Sequence, residues 1–114
     1  MNIVNIFKRK PTEKDHRVTI SIDDIETEMK SIGFWKKNPP KFKAGNYLEA
    51  PSFELWLQCV FIPNAREAAK MGKYPSDSQV GQMAFRQYDY HSHVEEAQQL
   101  LALLRKFDKL VVGK

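Results

Sequence analysis

The most apolar run of the chain is residues 52–63, SFELWLQCVFIP. Drawn as a helix, the segment is apolar on nearly every side, and a helix of that kind has packed neighbours on several sides. Ser52 is an acceptable N-cap, and Glu54 places negative charge in the first turn, where the helix dipole favours it. The sequence therefore predicts a central helix from about residue 53 to residue 71, which Pro63 should kink or split.

Most of the large side chains of this central helix fall on one broad face. That face holds Phe53, Trp56, Leu57, Val60, Phe61, Ala68 and Met71, while Leu55, Cys59 and Ile62 cover much of the other side. Gln58 is hemmed in by apolar neighbours, so its amide either bonds a carbonyl of a loop or emerges at a groove. Cys59 is the single cysteine, which excludes an intramolecular disulfide and favours a buried, inert thiol in a reducing compartment.

Three further helices are predicted around the central one. The first runs from about residue 16 to residue 32 and ends at Gly33, a usual position for a left-handed C-cap. A short helix follows Ser78, its expected cap. A long helix follows a capping box formed by Ser92 and Glu95 and lasts to about residue 112. The predicted inward positions are Val18, Ile22, Ile25, Met29 and Ile32 in the first helix, Val80, Met83, Ala84 and Tyr88 in the short helix, and Val94, Ala97, Leu100, Leu101, Leu104, Phe107, Leu110 and Val111 in the last.

Together these helices predict an all-α fold, a four-helix bundle of roughly up-and-down topology with a long proline-rich loop between helices 1 and 2. The domain is expected to cover residues 15–114, after a flexible basic arm over residues 1–14. The apolar segments are shorter than the about 20 residues that a spanning helix needs, and no export signal is visible. A soluble, cytoplasmic protein is therefore expected.

The loop after the first helix carries a concentration of positive charge. Residues 36–43 contain four lysines and no acidic residue, and the pair Pro39-Pro40 excludes a helix there. Aromatic residues lie among these cations, as they do where proteins engage single-stranded RNA, although the same rings would also pin the loop onto the bundle. The candidate interaction surface consists of Trp35, Lys36, Lys37, Lys41, Phe42, Lys43, Tyr47 and Gln58.

The sequence offers little that points to catalysis. His91 and His93 stand two positions apart without an obvious further ligand, so no metal site is expected. The acidic residues of the first helix fit a solvated face; they are Asp23, Asp24, Glu26 and Glu28. No phosphate-binding loop, nucleophile elbow or dinucleotide fingerprint occurs. We therefore predict no catalytic residue, no cofactor and no metal.

Two motifs of the chain are distinctive: Trp56-Leu57-Gln58 followed by Phe61-Ile62-Pro63, and Ile32-Gly33-Phe34-Trp35 upstream of the proline-rich loop. With Phe107-Asp108-Lys109-Leu110 in the last helix, they resemble the YqcC-like family, small bacterial proteins of unknown function. The resemblance covers about residues 17 to 112. Asn64-Ala65 departs from the family pattern, which has an Arg-Met pair after the proline. The resemblance implies a four-helix bundle, with Trp56, Leu57, Phe61, Ile62 and Pro63 as motif and core residues, and no known activity or cofactor.

Three hypotheses about function follow. The leading one is a non-enzymatic module that binds another macromolecule, either a protein or RNA, and the sequence leaves a homo-oligomer open. Some members of the resembled family are encoded beside a tRNA pseudouridine synthase, so the resemblance implies an RNA-binding accessory of tRNA modification as the alternative. The third hypothesis is an enzyme with an unrecognised site near Tyr47, Glu49, Trp56 and Gln58.

Overall fold

Four helices make up the described part of the chain, which in this computed structural model comprises residues 9–44 and 47–113. Helix α1 is Glu13–Ser31. Helix α2 continues without a break from the α-helical turn Phe53–Trp56 through the π-helical turn Leu57–Phe61 to the α-helix Ile62–Met71. The long loop between α1 and α2 contains a short 3-10 turn, Tyr47–Glu49.

The other two helices follow α2 after a non-helical connection. Helix α3 joins the α-helix Val80–Phe85 to a second π-helical turn, Arg86–Tyr90. Helix α4 begins with the 3-10 turn Glu95–Ala97 and continues as the α-helix Gln98–Val112. The predicted all-α helical bundle is therefore confirmed. None of the helices within the described residues is long and apolar enough to cross a bilayer.

Helix α1 begins earlier than the sequence pattern indicated, because Thr12 and Asp15 form a capping box. The Asp15 amide donates to the Thr12 hydroxyl oxygen at 3.2 Å, and the Thr12 amide donates to the Asp15 carboxylate at 2.8 Å. The start near residue 16 was wrong for this reason. The predicted flexible arm lies outside the described residues at positions 1–8, whereas Arg9 contacts the bundle through Asp15 and the Ala69 carbonyl.

The hydrophobic core forms where α1 meets α4 and the second half of α2, and α3 packs on α4. The predicted inward faces of α1, α3 and α4 are confirmed. Their buried members are Val18, Ile22, Ile25, Met29, Val80, Ala84, Tyr88, Ala97, Leu100, Leu101, Leu104, Phe107 and Val111. Ile32, Met83, Val94 and Leu110 are part-buried against this core. The first turn of α2 contacts the Tyr47–Glu49 turn, so the loop lies against that end of the helix.

Helix α2 differs from the predicted wheel because of the π-helical turn before Pro63. The Ile62 amide donates to the Leu57 carbonyl, five positions back, and the wider turn carries the helix past the proline without splitting it. One extra residue in a turn rotates the following positions by about 100°. As a result Ile62, Ala65 and Ala69 are buried, whereas Met71, predicted to face inward, is 48% exposed.

Two predicted caps were wrong. The capping box of Ser92 and Glu95 does not form, because the first helical turn begins only at Glu95 and that carboxylate contacts His93 instead. Ser78 does not cap α3 either. Its hydroxyl donates to Asp108 of α4 at 2.6 Å, and the same carboxylate accepts the first free amides of α3.

Candidate functional site

Gln58 fastens the lysine-rich loop to α2. The Lys36 amide donates to the Gln58 side-chain oxygen at 2.9 Å, and the Gln58 side-chain nitrogen donates to the Lys36 carbonyl at 2.7 Å. Gln58 is only 8% exposed, so both polar groups of a buried amide are satisfied by the loop backbone. Of the two roles that the sequence left open, Gln58 has the internal one, and it holds the loop from beneath.

The four lysines of this loop project away from the bundle. Lys36, Lys37, Lys41 and Lys43 are all exposed. The aromatic residues beside them are less accessible, since Trp35 and Phe42 are both part-buried. Lys30 of α1 lies over the Trp35 ring, 5.2 Å from its centroid, which helps to fix that ring against the bundle. The loop therefore presents cations to solvent, while Trp35 at its start packs against the bundle.

A chain of ring contacts connects the end of the loop to the centre of α2. The Tyr47 centroid lies 5.8 Å from that of Phe53 and 6.0 Å from that of Trp56. The Trp56 and Phe61 rings are stacked at 5.9 Å, and Phe61 meets Phe107 of α4 edge to face at 5.0 Å. Trp56 is part-buried, so it contributes to a surface as well as packing against the core.

The remaining motif residues take structural positions. Leu57 and Ile62 are buried, Phe61 is part-buried, and Pro63 is exposed on the outside of the helix. Cys59 is a free, part-buried cysteine, and burial raises the pKa of its thiol. A raised pKa disfavours the nucleophilic thiolate.

A cavity of about 260 Å³ opens beside Trp56, and no sequence pattern predicted it. Its walls come from the second half of α2, the connection after it, the start of α3 and the end of α4. They are Trp56, Phe61, Asn64, Ala65, Ala68, Tyr74, Pro75, Ser78, Gln79, Val80, Met83, Phe107 and Val111. Residues so far apart in the chain share no local pattern, which is why periodicity could not reveal the cavity.

Two carboxylates that could have served as acids or bases are used by the fold. Asp15 accepts from the Thr12 amide, the Tyr74 hydroxyl and Arg9, and these bonds hold its pKa well below the usual range. Asp108 is desolvated by burial, which raises its pKa although it accepts several hydrogen bonds. Burial, together with the hydrogen bond to Asp15, raises the pKa of the Tyr74 hydroxyl.

The predicted acidic face of α1 contains an ion-pair cluster. Arg66 of α2 donates to Asp23 at 2.9 Å and to Glu26 at 3.1 Å, so part of that face joins the two helices. His93 lies between Asp89 and Glu95, with each ring nitrogen 2.7 Å from a carboxylate oxygen. Among the described residues no three such side chains are arranged to hold a metal ion.

The chain also has a clear relationship to a known family. The model of the DUF446 family, described as tRNA pseudouridine synthase C, matches residues 17–110. No curated protein and no solved structure gives a significant match. The matched residues extend from α1 into α4 and include both the lysine-rich loop and every residue but one of the cavity wall, Val111.

Proposed function

The chain belongs to the DUF446 family, and from this premise we propose that it is a non-catalytic module that binds RNA during tRNA modification. The family description names a synthase that acts on tRNA. The finer assignment, an accessory that binds the RNA while another protein carries out the reaction, is our own. The resemblance to the YqcC-like family and a cytoplasmic location are parts of the same proposal.

The observation that carries this proposal is the anchored, lysine-rich loop. Lys36, Lys37, Lys41 and Lys43 are exposed on a loop whose backbone Gln58 bonds to α2 at Lys36. Cations held on a fixed backbone can neutralise successive phosphates without the cost of ordering a free segment. Aromatic rings next to such cations suit unpaired RNA strands.

The hydrogen bonds of two carboxylates with shifted pKa values, Asp15 and Asp108, support a non-catalytic role. Asp15 and Asp108 are each engaged by several hydrogen bonds from the fold. A carboxylate that acts as nucleophile or general base must instead reach the reacting atoms of a substrate. These hydrogen bonds therefore indicate that both carboxylates have a structural role instead of a catalytic one.

The test is to replace the four loop lysines by glutamine and measure tRNA binding as a function of salt. Loss of four phosphate contacts should make the slope of log K against log salt shallower by about 3. A matched variant replaces Lys70, Lys73, Lys106 and Lys109, which are exposed elsewhere, and changes the net charge equally. Equal losses of tRNA affinity in both variants would mean that binding depends only on the total charge of the protein. The loop would then have no specific role in RNA binding.

A partner protein is the second candidate, and an exposed aromatic side chain favours it. Tyr90 is 68% exposed, and its ring lies 6.1 Å from that of Phe85. Exposed aromatic residues are enriched in protein interfaces. Sedimentation of the purified protein tests for a homo-oligomer, and Tyr90→Ser should shift the equilibrium toward monomer if this face is the contact. A monomer at all concentrations, with no captured partner, would contradict it.

A further inference from the structure

We propose that the cavity beside Trp56 receives one unpaired nucleobase of the RNA whose phosphates lie on the lysine-rich loop. This inference rests on the proposed RNA-binding function and makes it more specific. It assigns the base to the cavity and the phosphates to the loop, so the two parts of the nucleotide have separate sites on the protein.

The walls of the cavity suit the faces of a flat heterocycle. Trp56 and Phe61 are stacked with an interplanar angle of 26°, and Phe107 stands at 78° to Phe61. Aromatic side chains bind bases by stacking, which every base can do because each has a π-face. Met83 and Ala68 supply further apolar contact surface to the same cavity.

The size and charge of the cavity fit a single neutral base. Its volume of about 260 Å³ is smaller than the about 300–1,000 Å³ of pockets for drug-sized ligands. None of the residues that line it carries a charged side chain. Asn64, Ser78, Gln79 and Tyr74 contribute amide and hydroxyl groups to a lining that is otherwise apolar. The Ser78 and Tyr74 hydroxyls donate to Asp108 and Asp15, so the amides of Asn64 and Gln79 are the groups that can bond the edge of a base.

The Tyr47–Glu49 turn, at the end of the loop, contacts the cavity wall at Trp56. Lys36 is bonded to Gln58 at one side of α2, and Tyr47 at the other end of the loop contacts the Trp56 ring. Trp56 also lines the cavity. Four lysines without an intervening acid complement a phosphate chain, whereas an apolar side chain of a partner protein would gain nothing from them. This charge complementarity favours a nucleotide as the occupant.

The test uses tryptophan fluorescence in a Trp35→Phe variant, which leaves Trp56 as the single tryptophan because the chain contains two. This protein is titrated with a single-stranded oligouridylate and with an abasic ribose-phosphate oligomer of equal length. We expect the oligouridylate to quench Trp56 and to bind about tenfold more tightly, the usual gain from stacking one base. The abasic oligomer should bind through its phosphates without quenching.

A cavity-filling variant identifies the site of the difference. Ala68→Phe, made in the same background, places a ring in the cavity and should remove the preference for the oligouridylate while leaving the abasic oligomer bound. Ala102→Phe, at an exposed position of α4, is the matched control and should retain the preference. Circular dichroism establishes that each variant is folded. Both oligomers are titrated into the same variant, so their affinities are compared within one protein.

Each result decides between the two levels of the proposal. Equal affinity for the two oligomers, without quenching, would overturn the base site and leave the RNA-binding function standing. Failure to bind either oligomer or tRNA would overturn both. Quenching by an apolar peptide but by neither oligomer would assign the cavity to a partner protein and overturn the inference.

Discussion

At the scale of single residues, Gln58 has the largest structural consequence. Its side-chain amide pairs with the backbone amide and carbonyl of Lys36 in the way that two strands pair, although the residues are 22 positions apart. A buried amide that loses its partners costs free energy, because its groups were hydrated in the unfolded chain. The pair therefore holds the loop at Lys36 and also satisfies the polar groups of the buried Gln58 side chain.

Replacing Gln58 by leucine should lower the free energy of unfolding by about 1–3 kcal/mol, since the Lys36 amide and carbonyl lose their bonds. Urea denaturation measures the loss, and hydrogen exchange at the Lys36 amide should become faster. Gln99→Leu, at an exposed position of α4, is the control and should change stability by less than about 0.5 kcal/mol. Unchanged exchange at Lys36 would show that other contacts order the loop.

The pKa of His93 should lie above its ordinary value, because the hydrogen bonds that its ring nitrogens donate to Asp89 and then to Glu95 raise it. A raised pKa means that the stabilising contribution is complete below the unfolded value of about 6.5 and is lost as pH rises through the folded pKa. NMR titration of the His93 ring protons measures this directly. The double substitution Asp89→Asn and Glu95→Gln should lower the pKa; if the pKa stayed where it was, the two carboxylates would not be its cause.

At the scale of secondary-structure elements, Pro63 shows how a residue can alter a helix without ending it. A proline in a regular α-helix removes one amide and crowds the carbonyl four residues earlier. Here the chain widens into a π-helical turn at Leu57–Phe61 before the proline and then resumes as Ile62–Met71. The π-helical turn contains Gln58, which bonds the loop, and Phe61, which lines the cavity, consistent with the frequent occurrence of π-turns at functional sites.

Helix α3 depends on a cap supplied by another helix. Asp108 of α4 accepts from the Val80 amide at 3.1 Å, from the Gly81 amide at 2.7 Å and from the Ser78 hydroxyl. Gly81 permits this approach, because an added Cβ would lie 2.9 Å from both the Asp108 carboxylate and the Arg105 Cα. The start of α3 and the surface of α4 are therefore fixed together.

Asp108→Ala should lower the free energy of unfolding by about 1–2 kcal/mol, the usual loss when a helix loses its cap and its amides remain unpaired. Urea denaturation measures the change, and hydrogen exchange at Val80 and Gly81 shows where it occurs. Asp77→Ala removes an exposed carboxylate just before α3 and serves as the control. Equal losses of stability from Asp108→Ala and Asp77→Ala would indicate a general effect of charge and would contradict the role of Asp108 as a cap.

At the scale of the whole molecule, a small polar network joins the start of α1 to the end of α2. Asp15 near the start of α1 bonds Arg9 and Tyr74, and Arg9 also donates to the Ala69 carbonyl near the end of α2 at 3.2 Å. Gly72 ends α2 with a φ of 67°, and an added Cβ there would collide with the Arg9 guanidinium. The network thus fixes α1 against α2.

Lowering the pH should destabilise the folded protein, because it protonates Asp15. Its pKa is lowered in the folded state, so its contribution to stability is present above the unfolded value of about 3.9 and is lost as pH falls toward the folded pKa. Asp15→Asn should therefore be less stable than the parent at pH 6, and the difference should shrink below about pH 4. Urea midpoints across this range measure it. Asp24→Asn, at an exposed position of α1, is the control, and a difference independent of pH would contradict the assignment.

The helices and most of their buried faces could be predicted from the spacing of apolar residues. The spacing of Val18, Ile22, Ile25 and Met29 is a local property of the chain, and all four are fully buried. The terminal helix is predicted equally well, because its leucines recur at the helical period over several turns. Such a local pattern can be recognised without knowing which helices pack against each other.

The candidate site could not be predicted in the same way, because it depends on how the helices pack. The Gln58–Lys36 pair, the Asp108 cap and the cavity each join residues that are separated in the chain, and none has a spacing that could announce it. The cap predicted at Ser92 failed for the same reason, since Glu95 found His93 as a partner. Side-chain polar groups bond whichever partner the packing brings near, and that choice is made by the fold as a whole.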